Sequence, residues 1–378
     1  MFQVVAFLLL MLSCNVFADV TDGTELLLTF LIHRHGDRTP VQSFLKYSNQ
    51  PEELAELSAP YGYGQLTPRG KRRAYAMGES LRNRYDILLG PTYNFSQVYI
   101  RSTDSTRAKM SILSALAAIY PPTDDHRWSD VLDWLPIPYT TVPSKYDFNL
   151  AFANCPAFSD EYKSLGLKSP LLALYSDALS VLSKRFNTEV TDSSMLIYSL
   201  YDLYVSQISL GLPLDEDIAD VIDDLGAAAN VAVDLLFGDP KYIAYQAGVL
   251  LQQFYEYSAL VIDGADTQKV RIYSAHDFNV YSFKAVAQIT PRQGVPKYSS
   301  VFALELRKVS ETGQIVVLPV YLPEPGEEAI YLQVDGCDQL CDYNQFVEIT
   351  QPYSFDEKTW RSECGFTEDI VIDESSFQ

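Results

Sequence analysis

Two short polar segments, far apart in the chain, carry residue types that could transfer a phosphoryl group. The first is RHGDRTP at Arg34–Pro40, and the second is the pair His276 and Asp277. Guanidinium groups hold phosphate oxygens through paired hydrogen bonds, a neutral imidazole can act as a nucleophile, and a carboxylic acid can protonate a leaving alcohol. These residue types predict phosphoryl-transfer chemistry if the fold brings the two segments together.

A further candidate cation follows a third segment. Val98–Arg101 has the pattern of a short strand, and Arg107 lies near the start of the helix predicted after it. Arg101 is the alternative to Arg107, and a single arginine at a strand end is in most cases a capping or ion-pair residue. The prediction therefore depends on the combination of several guanidiniums and two imidazoles, not on one residue.

The elements around these residues predict a mainly parallel sheet flanked by helices, which is an α/β fold. Glu25–His33 is a nearly continuous apolar run of strand length, typical of a strand covered on both faces, and Lys269–Ser274 is a second strand. Strands and helices alternate along this part of the chain. Because ligands bind at the carboxyl ends of parallel strands, His35 and His276 are expected at one edge of the sheet.

The middle of the chain changes to an almost entirely helical pattern. Apolar residues recur at helical spacing from about Pro170, and further helices are predicted over 194–210, 214–237 and 241–262. We interpret residues 151–263 as an α-helical cap domain inserted into an α/β catalytic domain formed by residues 19–150 and 264–378. Val301–Val309 and Gln314–Leu322 predict an antiparallel hairpin at the sheet edge.

The charge balance restricts the partners of the protein. The 378 residues include 28 Lys and Arg against 49 Asp and Glu, which gives a net charge of −21. Such a surface repels nucleic acids and anionic membranes, so neither is expected as a partner. An anionic substrate must then be held by a local cationic pocket.

The N-terminal residues predict export. Val4–Leu12 is apolar but too short to span a bilayer, and small or apolar residues precede Asp19, as at a signal-peptide cleavage site. A buried first strand or helix is the alternative. The sequon that begins at Asn94 is a candidate glycosylation site in a predicted surface turn. We expect a signal peptide over residues 1–18, and no membrane span or lipid anchor.

The cysteines that remain after such a cleavage are even in number: Cys155, Cys337, Cys341 and Cys364. In an oxidising compartment they predict two disulfides, for which three connectivities are open. The close spacing of Cys337 and Cys341 favours a bond between them, which leaves Cys155 with Cys364. A zinc site is the alternative, disfavoured because no histidine is near any of the four.

The segment Arg34–Pro40 resembles the R-H-G-x-R-x-P signature of the histidine acid phosphatases, and Ser274–Asp277 resembles their second, H-D motif. The similarity continues through Gln65–Gly70, Val98–Arg107, Trp134–Pro138, Asn154–Pro156 and the C-terminal cysteines. It spans nearly all of the chain after the predicted signal peptide. The order and spacing are most similar to those of the animal secreted and lysosomal enzymes.

This resemblance implies a phosphoglycerate-mutase-like fold and a covalent phosphohistidine intermediate. It implies that His35 is the nucleophile and Asp277 the proton donor to the leaving alcohol. The implied phosphate-binding residues are Arg34, Arg38, Arg107 and His276. Since the arginines supply the positive charge, no metal ion or cofactor is expected, and the need for a protonated acid predicts an acid pH optimum.

Several neighbouring residues receive other interpretations. A carboxylate inside a phosphate pocket opposes binding, so Asp37 is expected to orient its neighbours rather than catalyse. His33 and His35 share one face of a strand, but a metal site would need a third ligand nearby. His126 is expected at the surface. Phe278 stands where the family usually has threonine, beside the leaving-group side, which leaves substrate preference open.

We therefore expect a secreted acid phosphatase that hydrolyses small phosphate monoesters, located outside the cell or in the lysosomal lumen. The resemblance also allows a homodimer. One alternative is an exported binding protein or allergen that keeps the fold without turnover, and the complete residue set argues against it. Another is a phosphatase specialised for lysophosphatidate or phytate. The net charge of −21 argues against phytate, which requires a basic pocket rim.

Overall fold

The computed structural model describes residues 19–158 and 169–366, so the predicted signal peptide lies outside the described residues. The strands of this part are β1 (Thr24–Arg34), β2 (Val98–Thr103), β3 (Thr140–Val142), β4 (Val270–Ala275), β5 (Ile289–Thr290), β6 (Val301–Val309), β7 (Ile315–Leu322), β8 (Ile330–Tyr331), β9 (Gln333–Val334) and β10 (Cys341–Asp342). The α-helices are α1 (Pro51–Ser58), α2 (Pro68–Leu89), α3 (Thr106–Ile119), α4 (Ala151–Asn154), α5 (Ser176–Phe186), α6 (Ser194–Ser209), α7 (Glu216–Ala219), α8 (Ile222–Phe237), α9 (Pro240–Ile262), α10 (Asp277–Val286), α11 (Tyr343–Thr350) and α12 (Glu357–Glu363).

One large sheet holds the strands that position the site. Its order is β10-β7-β6-β1-β4-β2-β3, with β8 paired to β7. The strands β1, β4, β2 and β3 are parallel, whereas β6, β7 and β10 are antiparallel to their neighbours. The predicted α/β fold is therefore confirmed. The predicted hairpin is also present, as β6 and β7.

Helices cover both faces of the sheet, as the apolar pattern of β1 predicts. Leu28, Phe30 and Ile32 of β1 are buried in one core together with residues of α9 and α10. Leu31 faces the other side, in a second core with residues of α2 and α3. Successive side chains of a strand face opposite sides, so β1 is packed between helices on both faces of the sheet. Because this packing holds β1 in place, it also fixes where the loop after β1 begins.

The middle of the chain is helical, with two differences from the predicted pattern. The stretch predicted over 214–237 is divided into α7 and α8, because the backbone at Val221 leaves the helical region (φ −116°, ψ 5°). Residues of α5, α6 and α8 share a separate core. By contrast, Leu250 and Phe254 of α9 lie in the core that contains β1. The domain division at 151 and 263 stays a prediction, and α9 packs with the sheet.

Two disulfides join the four described cysteines, Cys155 to Cys364 and Cys337 to Cys341. This is the connectivity that the spacing favours. The sulfurs are therefore not available as zinc ligands. The first bond joins residues 209 positions apart, and it ties the segment before the helical region to the C-terminal end of the described chain.

Candidate active site

The two predicted histidines follow neighbouring parallel strands at the same edge of the sheet. Arg34 at the end of β1 is paired with Ala275 at the end of β4, so the next residues are His35 and His276. The His35 backbone N–H donates to the Ala275 carbonyl oxygen at 3.1 Å. The two imidazole rings lie 5.5 Å apart, centre to centre. Segments separated by about 240 residues in sequence thus meet at one point.

A close glycine contact seats the loop after His35 on the start of α2. A Cβ atom on Gly36 would lie 2.3 Å from the Gly70 carbonyl oxygen, which no side chain tolerates. Thr67 caps α2 by accepting a hydrogen bond from the Gly70 N–H at 3.1 Å, and its own N–H donates to the Asp37 carbonyl. Glycine is therefore required in the R-H-G segment for this approach.

The environment of His35 selects one tautomer and keeps it neutral. Its Nδ1 lies 2.8 Å from the Gly36 carbonyl oxygen. A carbonyl only accepts, so Nδ1 carries the proton and Nε2 keeps a free electron pair. Burial and the positive charge of Arg107 hold the pKa of His35 well below its usual value. This lowering of the pKa favours the neutral imidazole, which is the form that can attack an electrophile.

Two of the predicted arginines are bridged by a carboxylate that the sequence analysis did not single out. The Asp202 carboxylate accepts from Arg34 Nη2 at 3.2 Å and from Arg38 Nη2 at 2.6 Å. Burial alone would lower the pKa of each guanidinium, but the paired carboxylates raise it above its usual value. Both arginines stay charged, and each retains a buried Nε that has no hydrogen-bond partner among the described residues.

The third arginine has a different environment. Arg107 Nη2 lies 3.2 Å from Nδ1 of His276, and no carboxylate of the described residues forms an ion pair with it. Burial and the nearby Arg38 lower the pKa of Arg107 to about 10. Because the cation lacks a counter-charge of its own, an anion placed here is stabilised electrostatically.

His276 is oriented by its two ring nitrogens. Arginine only donates, so the Nδ1 that Arg107 contacts is unprotonated, and Nε2–H donates to Thr103 Oγ1 at 3.1 Å. Burial and Arg107 lower the pKa of His276 to about 3. To donate a hydrogen bond from Nδ1 to a phosphate oxygen, this ring would need to take up a proton or change tautomer.

Asp277 is the first residue of α10 and lies against Arg34. Its Oδ2 is 2.9 Å from Arg34 Nη2 and accepts a hydrogen bond from the Tyr198 hydroxyl at 2.6 Å. Its Oδ1 accepts from the Phe278 N–H at 2.9 Å. Burial would raise the pKa of Asp277, but Arg34 and then Tyr198 outweigh it and lower the pKa below the usual value.

Helix α6 contacts the site through one polar stripe. Two of its contacts are those described above: the Tyr198 hydroxyl donates to Asp277, and the Asp202 carboxylate pairs with Arg34 and Arg38. In addition, Ser206 Oγ lies 3.1 Å from the Tyr298 hydroxyl. Ser209 donates to Asp37 Oδ1 at 2.7 Å. The sequence analysis missed these residues. Their signal is a set of polar side chains at spacings of four, four and three, which lie on one face of an apolar helix.

The other residues considered in the sequence analysis do not belong to the group of arginines and histidines that would contact a phosphoryl group. Arg101 Nη2 pairs with an Asp147 oxygen at 2.7 Å and is thus an ion-pair residue. Asp37 is buried and faces α2, where Arg73 Nε is 2.9 Å from its Oδ2. His126 is exposed.

Two further candidates are buried. His33 is buried inside β1, with Nδ1 on the Arg34 carbonyl at 3.1 Å. Phe278 packs its ring against Tyr198 at 4.8 Å and Phe237 at 4.4 Å, centre to centre, and thus supports Tyr198.

The described residues contain no group of three or more His, Cys, Asp or Glu that could hold a metal ion. None of the helices in 19–158 and 169–366 is long and apolar enough to cross a membrane. The six predicted site residues lie together in one group, in which Arg107 is half-buried and the others are buried: Arg34, His35, Arg38, Arg107, His276 and Asp277.

Known proteins share both the sequence pattern and the fold. Residues 25–207 match the model of the histidine phosphatase superfamily, branch 2. Human prostatic acid phosphatase is 32% identical over 353 residues, covering 91% of this chain and 89% of its own. Lysosomal acid phosphatase of Xenopus laevis is 28% identical over 368 residues, covering 94% and 82%.

A solved phytase from Citrobacter braakii has the same fold, with a TM-score of 0.64 at 14% identity over 90% of this chain and 99% of its own. The sheet order, the neighbouring histidines and the similarity over the whole length agree, and this chain therefore belongs to branch 2 of the histidine phosphatase superfamily.

Proposed function

We propose that this protein is an acid phosphatase that hydrolyses phosphate monoesters through a phosphohistidine intermediate. The observation that carries the proposal is a neutral His35, with Nε2 free, buried among Arg34, Arg38 and Arg107. Relatives named prostatic and lysosomal acid phosphatase over most of the chain support the same reaction.

In the first step, Nε2 of His35 attacks phosphorus and a nitrogen–phosphorus bond forms. The bond from phosphorus to the ester oxygen breaks, and its electron pair stays on that oxygen. Asp277 transfers a proton to the oxygen, so the product leaves as a neutral alcohol. Arg34, Arg38 and Arg107 hold the phosphoryl oxygens, where fixed positive charge stabilises the transition state. His276 joins them after its ring has taken up a proton or changed tautomer, so that Nδ1 can donate to a phosphoryl oxygen.

In the second step, water attacks the phosphohistidine. The Asp277 carboxylate takes a proton from that water, the nitrogen–phosphorus bond breaks, and orthophosphate leaves. His35 is again neutral, with the proton on Nδ1 that the Gly36 carbonyl retains. Dividing hydrolysis into two transfers replaces one difficult displacement by two easier ones.

An acid pH optimum follows from the ionisation of substrate and site. The pKa of Asp277 is lowered, so its carboxyl group by itself is ionised over most of the pH range. A phosphate monoester has a second pKa of about 6, so below that pH the substrate arrives as a monoanion and brings the missing proton. His35 remains neutral there because its pKa is held well below 6.5. Activity therefore rises as the pH falls below about 6.

Export and glycosylation complete the proposal. The predicted signal peptide, the two disulfides and relatives named as prostatic or lysosomal support a location outside the cell or in the lysosomal lumen. Asn94 is exposed, and its Oδ1 accepts from the Ser96 N–H at 3.0 Å, and this exposure is what a glycan acceptor requires. The homodimer stays a prediction that the mass in solution would test.

The test is hydrolysis of p-nitrophenyl phosphate between pH 4 and pH 8. We expect turnover that is highest on the acid side, and a loss of at least about 10³-fold in kcat for His35→Ala. His126→Ala is the matched control, because that histidine is exposed and lies outside the site. Hydrolysis by His35→Ala at the wild-type rate would exclude the nucleophile. A purified wild-type chain without turnover would favour the binding-protein alternative.

A second readout identifies the intermediate and the role of metal ions. Wild-type protein quenched during turnover of a ³²P-labelled ester should carry a label that acid releases and alkali does not, as a nitrogen–phosphorus bond requires. EDTA should leave the rate unchanged, because guanidinium groups supply the positive charge. A rate that EDTA abolishes and zinc restores would contradict the mechanism.

A further inference from the structure

The segment of residues 296–300, which precedes β6, is bound to the end of β1 by backbone hydrogen bonds. The Arg34 N–H donates to the Ser300 carbonyl oxygen at 3.0 Å, and the Ser299 N–H donates to the His35 carbonyl oxygen at 3.1 Å. Because both residues of the R-H pair have a backbone bond to this segment, the segment is held at a fixed position beside the nucleophile.

Tyr298 lies in the middle of this segment, and its ring is close to two site residues. The central carbon of the Arg34 guanidinium lies over the ring, 4.1 Å from its centre. The His35 ring is 5.8 Å away, centre to centre. Tyr298 is only 3% exposed, and a guanidinium that lies over a buried aromatic ring is attracted to it. The ring therefore restricts the orientation of the guanidinium plane.

The polar contacts of Arg34 act on the edge of the guanidinium, whereas Tyr298 acts on its face. Nη1 donates to the Pro296 carbonyl oxygen at 2.7 Å, and Nη2 lies 3.2 Å from Asp202 and 2.9 Å from Asp277. The N–H groups of a guanidinium lie in its plane, so these bonds do not cover the face. Nε has no hydrogen-bond partner among the described residues, and a phosphoryl oxygen would be an acceptor for it.

The hydroxyl group of Tyr298 makes a separate contact. Ser206 Oγ donates to the Asp202 carbonyl oxygen at 2.9 Å, so the Tyr298 hydroxyl is the donor in its 3.1 Å hydrogen bond with Ser206. This bond joins the ring to α6. The two parts of the side chain can therefore be tested separately, because Tyr298→Phe removes only the hydroxyl and Tyr298→Leu also removes the aromatic face.

We propose that Tyr298 is a positioning residue for phosphoryl transfer, whose ring holds the Arg34 guanidinium in the orientation that receives the phosphoryl group beside His35. The inference rests on the proposed function, because it assigns Arg34 to a phosphoryl oxygen. The ring acts through Arg34 and not on the reacting atoms. A guanidinium that is free to turn must be ordered during the reaction and stabilises the transition state less than a fixed one.

The first test compares Tyr298→Leu with Tyr298→Phe in the hydrolysis of p-nitrophenyl phosphate. We expect Tyr298→Leu to lower kcat/KM about 10- to 30-fold, which is the size of a buried contact between a cation and an aromatic ring. Tyr298→Phe keeps the ring and should stay within about threefold of the wild type. Wild-type kcat/KM in Tyr298→Leu, or an equal loss in the two variants, would overturn the proposal.

Tyr257→Leu is the matched control for the loss of an aromatic ring. The Arg271 guanidinium lies over the Tyr257 ring at 3.5 Å, so this variant removes the same kind of contact from an arginine outside the phosphoryl site. We expect Tyr257→Leu to keep the wild-type kcat/KM. A loss as large as that of Tyr298→Leu would show that the effect is one of general stability and would overturn the proposal.

A double-mutant cycle tests whether the ring acts through Arg34. Arg34→Lys keeps the positive charge but has no planar group for the ring to orient, so in this background Tyr298→Leu should lower kcat/KM less than about threefold. Arg107→Lys is the matched background, since Arg107 contacts His276, and there the full loss should persist. Equal losses in both backgrounds would contradict an action through Arg34.

Binding of inorganic phosphate separates this proposal from the proposed function. Calorimetry should give phosphate affinity about tenfold weaker for Tyr298→Leu than for Tyr298→Phe and the wild type. That pattern in a protein without turnover would retain the hold of the ring on Arg34 and overturn the phosphatase. Turnover by the wild type, with Tyr298→Leu equal to it in kcat/KM and phosphate affinity, would retain the phosphatase and overturn the positioning role.

Discussion

The strand ends and helix α6 contribute different things to the same site. The end of β1, the loops after β1 and β4, and the first turn of α3 supply the imidazoles and the guanidiniums, whereas α6 supplies Asp202 and hydroxyl groups. The sheet therefore provides the groups that meet a phosphoryl group, and the helix provides the groups that orient and neutralise them. The guanidinium groups of Arg34 and Arg38 would repel each other, and the Asp202 carboxylate, which comes from a distant part of the chain, stabilises both.

The largest expected effect is on the sheet side. Asp277→Asn keeps the shape of the side chain but removes the proton transfer to the leaving alcohol. We expect kcat/KM for an alkyl phosphate, which reports the phosphoryl transfer to His35 and not the later attack of water, to fall about 10²–10⁴-fold, with a much smaller loss for p-nitrophenyl phosphate, whose leaving group needs no proton. Steady-state kinetics with both esters checks this. Equal losses for the two esters would mean that Asp277 is not the proton donor.

The corresponding change on the helix side is Asp202→Asn, which removes the carboxylate between Arg34 and Arg38. Breaking one partner of a buried ion pair should lower the free energy of unfolding by about 3–5 kcal/mol. Inorganic phosphate should then raise the Tm of this variant more than that of the wild type, because the anion replaces the lost counter-charge. Thermal unfolding with and without phosphate measures both. An equal rise in Tm would show that phosphate does not reach these arginines.

A smaller effect concerns stability and pH. Burial lowers the pKa of His33 to about 4, while the unfolded chain has the ordinary value of 6.5. Below pH 6.5 the unfolded state therefore binds more protons, and stability falls as the pH drops towards 4. His33 alone should account for about 3 kcal/mol of this loss.

The variant His33→Leu should remove that part of the pH dependence, as measured by denaturant unfolding at pH 7 and pH 4. His126→Ala, at an exposed position, is the control and should leave the pH dependence as it is. An unchanged difference between the two pH values in His33→Leu would contradict the assignment.

The smallest effect is expected for Tyr198→Phe, which removes one hydrogen bond from α6 to Asp277. That bond lowers the pKa of the carboxyl group, so its loss raises the pKa. The kcat of the variant should change less than about tenfold, and the limb of the pH–rate profile that belongs to Asp277 should move to higher pH. A limb that stays in place would show that the hydroxyl does not influence this acid.

The two sides of the site also differ in how far the sequence predicts them. His35 and His276 follow apolar strands, and parallel strands end at one edge, so their meeting could be predicted from pattern and motif. The positions of Tyr198 and Asp202 in the site could not be predicted in this way. The sequence pattern of a helix shows which residues share a face, but it does not show which part of the protein that face packs against. The break at Val221 was missed for a similar reason, since helical residue types continue across it.

The bond between Cys155 and Cys364 closes a covalent ring around the helical region, α9, β4 and β6. A protease that cuts the backbone once, anywhere inside that ring, leaves both pieces in a single molecule. Such a nicked protein would migrate as one species on a non-reducing gel and separate into two fragments only after dithiothreitol.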